Sequence, residues 1–183
     1  LMTDPSFHPY QSTTKIMGGV LVFSPLKEYR TDLQDFLRKV TPKTKIVFLN
    51  TPHNPTGTTI SKDELDGFIK KLPEGIIVVI DEAYGEYADG DNFADSLSYL
   101  RQGANMIVIR TLSKIYGLAG LRVGYGITLP EMASYMNRIR EPFNVNLLAQ
   151  VAALAALKDE EHLRRSREMV REGREFLYRE LTE

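Results

Sequence analysis

The sequence predicts an α/β fold with a mostly parallel sheet and helices on both faces, and three observations predict it. Up to Pro130, strand-length apolar runs alternate with helical patterns, the order expected of successive βα units. Two of the runs, Ile76-Ile77-Val78-Val79-Ile80 and Met106-Ile107-Val108-Ile109, are apolar at every position, as strands covered on both faces are. The polar clusters of the chain lie directly after such runs, where open α/β sheets place their ligands.

Taken in order, Val20-Leu21-Val22-Phe23 reads as a strand and Thr31 to Val40 as an amphipathic helix. Lys45 to Asn50 is a second buried strand. Ser61 then caps a helix, with Glu64 placed three residues on to complete a capping box. Ile76 to Ile80 and Met106 to Ile109 follow as further strands. After Pro130 the pattern is helical: Glu131 to Arg140 forms one helix, and the alanine-rich segment Asn146 to Leu157 reads as a buried one. In the last segment Leu163, Ser166, Val170, Gly173 and Leu177 share a face. Glu160–Arg164, Glu161–Arg165 and Glu175–Arg179 supply charge pairs at i,i+4 on the rest. That charged face reads as solvated and carries no function.

Composition narrows the function classes. The 183 residues are 43% hydrophobic and 26% charged, enough apolar content for a sizeable core. A formal net charge of -1 gives no field that favours nucleic acid or an anionic membrane. No apolar run is long enough to span a bilayer. The absence of cysteine excludes a disulfide framework, a thiolate metal site and a cysteine nucleophile, and no metal site is expected. A cytoplasmic enzyme is the default reading. The apolar start at Leu1 and the helical end at Glu183 are read as those of an internal fragment of a larger protein.

Four clusters carry the chemistry. Asn54-Pro55-Thr56-Gly57 follows the strand ending near Asn50 and, taken alone, is compatible with an ordinary turn. Asp81-Glu82-Ala83-Tyr84 closes the most apolar strand; a carboxylate there needs a partner, or serves as a helix cap. Thr111-Leu112-Ser113-Lys114 follows Met106 to Ile109, and Gly117 to Gly124 includes Arg122, eight residues beyond Lys114. Hydroxyls beside an arginine make a natural phosphate cup. The glycines match neither the dinucleotide fingerprint nor the P-loop.

Asn-Pro-x-Gly, then Asp-x-x-Tyr, then Ser/Thr-x-Ser-Lys with an arginine eight residues on resembles the ordered signature of fold-type I pyridoxal-phosphate-dependent aminotransferases. The wording from Arg110 to Lys114 and from Gly117 to Tyr125 is most similar to the histidinol-phosphate aminotransferase family, and Pro5-Ser6-Phe7 also fits it. The resemblance covers essentially the whole chain. It implies a cofactor-binding large domain over 1–140 and connecting helices over 141–183 that lead into a small C-terminal domain, both partial.

By resemblance, Lys114 bonds covalently to the aldehyde of pyridoxal 5'-phosphate and, once freed, moves a proton between substrate and cofactor. Asp81 pairs with the pyridinium nitrogen. Tyr84 and Asn54 bond the phenolic oxygen, Phe7 stacks on the ring, and Thr111, Ser113 and Arg122 hold the phosphate. The peptide bonds before Pro55 and Pro5 are expected to be cis. Phe7 also admits a plain core reading, and Thr111 and Ser113 one as strand-ending residues. His53 reads as a neutral variation, His8 and His162 as surface residues, and Tyr116 and Tyr125 as packing residues.

The resemblance implies a homodimer acting on a small-molecule amino donor and a 2-oxo acid, with histidinol phosphate and 2-oxoglutarate as the leading pair. Another aminotransferase acting on aromatic or other amino acids remains open. A decarboxylase of an amino-acid phosphate is disfavoured by Ser113, where its relatives carry threonine. A binding module without catalysis has no need of a reactive lysine with a buried acid. An N-terminal glycine-rich turn, a partner-subunit tyrosine and a carboxylate-binding arginine are not identified in this chain.

Overall fold

In the computed structural model, residues 1–88, 90 and 92–182 are described. In chain order the elements are β1 (Met2–Asp4), α1 (His8–Ile16), β2 (Phe23–Pro25), α2 (Leu33–Lys39), β3 (Ile46–Asn50), α3 (Lys62–Ile69) and β4 (Ile77–Asp81). There follow α4 (Ser96–Arg101), β5 (Met106–Thr111), β6 (Gly124–Thr128), α5 (Pro130–Ile139), α6 (Leu147–Ala156) and α7 (Glu160–Leu181). The chain divides into two compact units, 1–110 with 126–139, and 111–125 with 140–183.

The first unit is built on a sheet of order β3-β4-β5-β6, in which β3, β4 and β5 run parallel. The register aligns Val47 with Val78 and Met106, and Leu49 with Ile80 and Val108. These six side chains share one face because successive residues of a strand alternate. All are buried, packed with Leu33 and Phe36 of α2, Leu65 and Phe68 of α3, and Tyr99 and Leu100 of α4. The alternate residues Phe48, Asn50, Val79 and Asp81 belong to the other face. There α1 lays the ring of Tyr10 on Phe48, with centroids 4.8 Å apart and planes at 11°. The α/β fold with a mostly parallel sheet and helices on both faces is therefore present. β1 and β2 form a second, two-stranded parallel sheet.

Local chemistry sets the helix starts. The side chain of Ser61 accepts from the Glu64 amide at 3.3 Å, and the Glu64 carboxylate accepts from the Ser61 amide at 2.7 Å; this is the capping box read from the sequence. Asp32 caps α2 by accepting from the amides of Gln34 and Asp35, both at 3.0 Å.

The structure corrects three expectations. The strand placed at Val20 to Phe23 begins only at Phe23, and Val20 is exposed. Pairing rather than apolarity defines a strand, and β1 offers partners only from Met2 to Asp4. The helix read as buried at Asn146 to Leu157 forms as α6, capped by Asn146, but only Ala149 of it is buried. In α7, Arg164 sits between Glu161 (2.8 Å) and Glu168 (3.2 Å) instead of pairing with Glu160; a long guanidinium reaches i−3 as readily as i−4.

In the second unit Asp159 caps α7 by accepting from the His162 amide at 2.9 Å. Among the described residues no helix is long and apolar enough to cross a membrane, and no group of side chains could hold a metal ion.

Candidate active site

Asp81 ends β4 and is 8% exposed. Its Oδ1 accepts from the Ala83 amide at 2.9 Å and its Oδ2 from the Tyr10 hydroxyl at 2.5 Å. Its carbonyl accepts from the Thr51 amide and from Asn50 Nδ2, at 3.0 and 3.1 Å. Among the described residues no cationic side chain pairs with this carboxylate. A buried carboxylate is costly without charge compensation, so the donor set suits a cationic N–H group brought by a ligand.

The first unit also carries three of the other expected residues, Phe7, Asn54 and Tyr84. Phe7 meets Tyr10 edge to face, with centroids 5.5 Å apart and planes at 77°, and keeps 43% of its surface exposed. At that exposure Phe7 stands outside the buried core of the first unit. Asn54 is half-buried, and its amide donates to Asn50 Oδ1 at 2.6 Å. The bonds before Pro5 and Pro55 are cis, as is that before Pro52. Gly57 closes the loop with φ 74°, where its amide donates to the His53 carbonyl at 2.7 Å; a side chain there would be strained. Tyr84 is half-buried and opens the turn Gly85–Tyr87 directly after the strand.

His53 proves to be more than a neutral variation. It is buried, with Nε2 at 3.1 Å from Thr3 Oγ1 and Nδ1 at 2.9 Å from Thr56 Oγ1. The ring thus ties the Asn54 loop to β1. Burial holds its imidazole below the usual histidine range, against a smaller opposing pull from the Pro5 backbone. Beside Asp81, Glu82 is 1% exposed and receives Nε and Nη2 of Arg110 on one oxygen, at 2.9 and 2.8 Å. This pair joins the carboxyl ends of β4 and β5. A pocket of about 380 Å³ lined by Glu82, Glu86, Phe93, Asp95 and Arg110 holds none of the expected site residues.

The second unit holds the lysine loop. Ser113 donates its amide to Thr111 Oγ1 at 3.1 Å. Leu112 is buried and donates its amide to the Val123 carbonyl at 3.1 Å, while its carbonyl accepts from Leu118 at 3.0 Å. Between these anchors Lys114 is exposed and Ile115 buried. Arg122 is exposed and adopts the left-handed conformation at φ 57°, and its Nη1 donates to the Ala119 carbonyl at 2.6 Å. A non-glycine residue in that region is uncommon and marks a position determined by its surroundings. His162 is exposed, as read from the sequence, and donates from Nε2 to the Ile115 carbonyl at 2.8 Å, bracing the segment next to Lys114.

Sequence reasoning therefore missed Tyr10, the His53 network, the Glu82–Arg110 pair and His162. Only the first had a legible signal: strand parity puts Phe48 and Asp81 on one face, and a tyrosine stands one helical turn beyond Phe7.

An α/β sheet with an acid closing its central strand and a hydroxyl-flanked lysine beyond the next defines the class. The chain belongs to the class I and II aminotransferases, whose family profile matches residues 1–183. Among curated relatives it is similar to the histidinol-phosphate aminotransferase of Moorella thermoacetica, at 51% identity over 97% of this chain and 46% of that protein. The corresponding enzyme of Caldicellulosiruptor saccharolyticus is 45% identical over 100% of this chain and 51% of its own. The crystal structure of histidinol-phosphate aminotransferase from Sinorhizobium meliloti in complex with pyridoxal-5'-phosphate superposes with a TM-score of 0.89 at 32% identity, covering 96% of this chain and 48% of that one. The chain spans about half the length of the curated relatives it matches.

Proposed function

We propose that the protein carrying this chain is a pyridoxal-phosphate-dependent aminotransferase that moves an amino group between histidinol phosphate and 2-oxoglutarate in histidine biosynthesis, as a cytoplasmic homodimer. The observation that carries the cofactor is Asp81, a nearly buried carboxylate with two neutral donors and no cationic partner among the described residues. The substrate rests on the 51% identity to a histidinol-phosphate aminotransferase.

Pyridoxal phosphate, when bound, supplies an electron sink for the carbanion formed at the substrate α-carbon. The chain's own residues do the rest. Asp81 accepts a charge-assisted hydrogen bond from the ring nitrogen and keeps it protonated. Phe7 offers its exposed ring face for stacking. Asn54 and Tyr84 donate to the phenolic oxygen. Lys114 holds the cofactor and, as the general base, takes the α-proton. Thr111, Ser113 and Arg122 hold the phosphate, Arg122 through the guanidinium donors that its bond to the Ala119 carbonyl leaves available.

Borohydride reduction of the full-length protein with pyridoxal phosphate, followed by peptide mapping, should place the pyridoxyl label on Lys114. A label on another lysine overturns the assignment. An amino-donor screen with 2-oxoglutarate should show histidinol phosphate as the preferred donor; preference for an aromatic amino acid would overturn the substrate.

A further inference from the structure

Tyr10 touches two of the residues assigned to the cofactor while itself standing outside the set. It lies at the third position of α1, 6% exposed, between Phe48 and Phe7. Stacking on Phe48 sets the plane of its ring. The hydroxyl then reaches Asp81 Oδ2 at 2.5 Å, across 71 residues of sequence. The other carboxylate oxygen is held by the Ala83 amide. With one donor on each oxygen the carboxylate cannot rotate, and its remaining lone pairs face fixed directions.

We propose that Tyr10 is a positioning residue for Asp81. Its hydroxyl fixes the plane in which the carboxylate meets a cationic ring nitrogen, and its edge sets the tilt of Phe7. The inference rests on the cofactor reading given above. The hydroxyl is suited to this work because burial, the Asp81 charge and the hydrogen bond itself push its ionisation far above the usual phenol range. It therefore remains a donor throughout the working range of the protein. Preorganised donors contribute most when they need no rearrangement as charge develops.

The test compares full-length wild type, Tyr10→Phe and Tyr10→Leu. Tyr10→Phe keeps the ring on Phe48 and removes only the hydroxyl. It should lower kcat on the order of tenfold or more, change KM less than threefold, and shift the absorbance-versus-pH midpoint of the bound cofactor. In the cofactor-free protein, the phenolate absorbance developed up to pH 11 should be the same in wild type and Tyr10→Phe, since Tyr10 does not ionise there. A Tyr10→Phe variant with wild-type kcat and midpoint, set against an impaired Tyr10→Leu, would mean that the residue only packs, and would overturn the proposal. Wild-type protein that carries no label on Lys114 would instead sink the cofactor reading, so the two failures are distinguishable.

Discussion

Asp81 and Arg122 are both polar groups next to loops, yet their surroundings differ. Asp81 is buried and held by fixed donors, whereas Arg122 is exposed and strained at φ 57°. Asp81→Asn in the full-length protein should retain much of the cofactor but lose kcat on the order of 10²–10³-fold. Arg122→Ala should first weaken cofactor affinity, roughly tenfold or more for a lost charge-assisted bond. Fluorescence titration and single-turnover kinetics separate the two, and equal losses of affinity would contradict the division. His53 supports a prediction about pH. Burial lowers its ionisation in the fold from the ordinary 6.5, so below about 6.5 the unfolded chain takes up a proton that the folded chain resists. Stability should then fall as pH drops through that value towards the lowered one. His53→Gln should flatten this part of the urea-midpoint profile; an unchanged slope would show that the proton is taken up elsewhere.

At the scale of elements, the ends of β4 and β5 are held together by Glu82 and Arg110. Removing only the arginine leaves a carboxylate 1% exposed without its cation, which costs roughly 3 kcal/mol. Replacing both residues by methionine should recover much of that loss, because the surviving charge goes as well. A urea midpoint that falls equally for Arg110→Ala and for the double variant would show that the pair is not the stabilising contact. The capping box at Ser61 was legible because both its partners lie within three residues, and Ser61→Ala should cost about 1 kcal/mol. The strand at Val20 was misread for the opposite reason: its pairing depends on a partner some twenty residues away, at Met2 to Asp4.

For the whole molecule, the chain matches about half the length of its curated relatives, and no arginine for a substrate carboxylate is identified in it. Transamination requires the bond to be broken to stand perpendicular to the cofactor ring, so that anchor supplies orientation as well as affinity. A polypeptide of these 183 residues alone should bind pyridoxal phosphate weakly and should not turn over histidinol phosphate, whereas a full-length protein containing it should do both. Half-transamination measured on the two side by side checks this; comparable turnover would place the whole active site within these residues.

Composition, period and ordered motifs determined the α/β class, the parallel strands and the capping box at Ser61, and they marked the clusters at Asn54, Asp81 and Lys114. These depend on the residues themselves or on neighbours a few positions away, so they can be read along one line of text. What only the tertiary structure decided lies across long separations. Tyr10 finds Asp81, His53 links Thr3 to Thr56, Glu82 holds Arg110, and His162 holds the carbonyl beside Lys114. It also decided that α6, apolar along most of its length, buries only Ala149. A sequence shows which faces are apolar; burial requires another surface to cover them, and which surface meets which is a property of the folded chain.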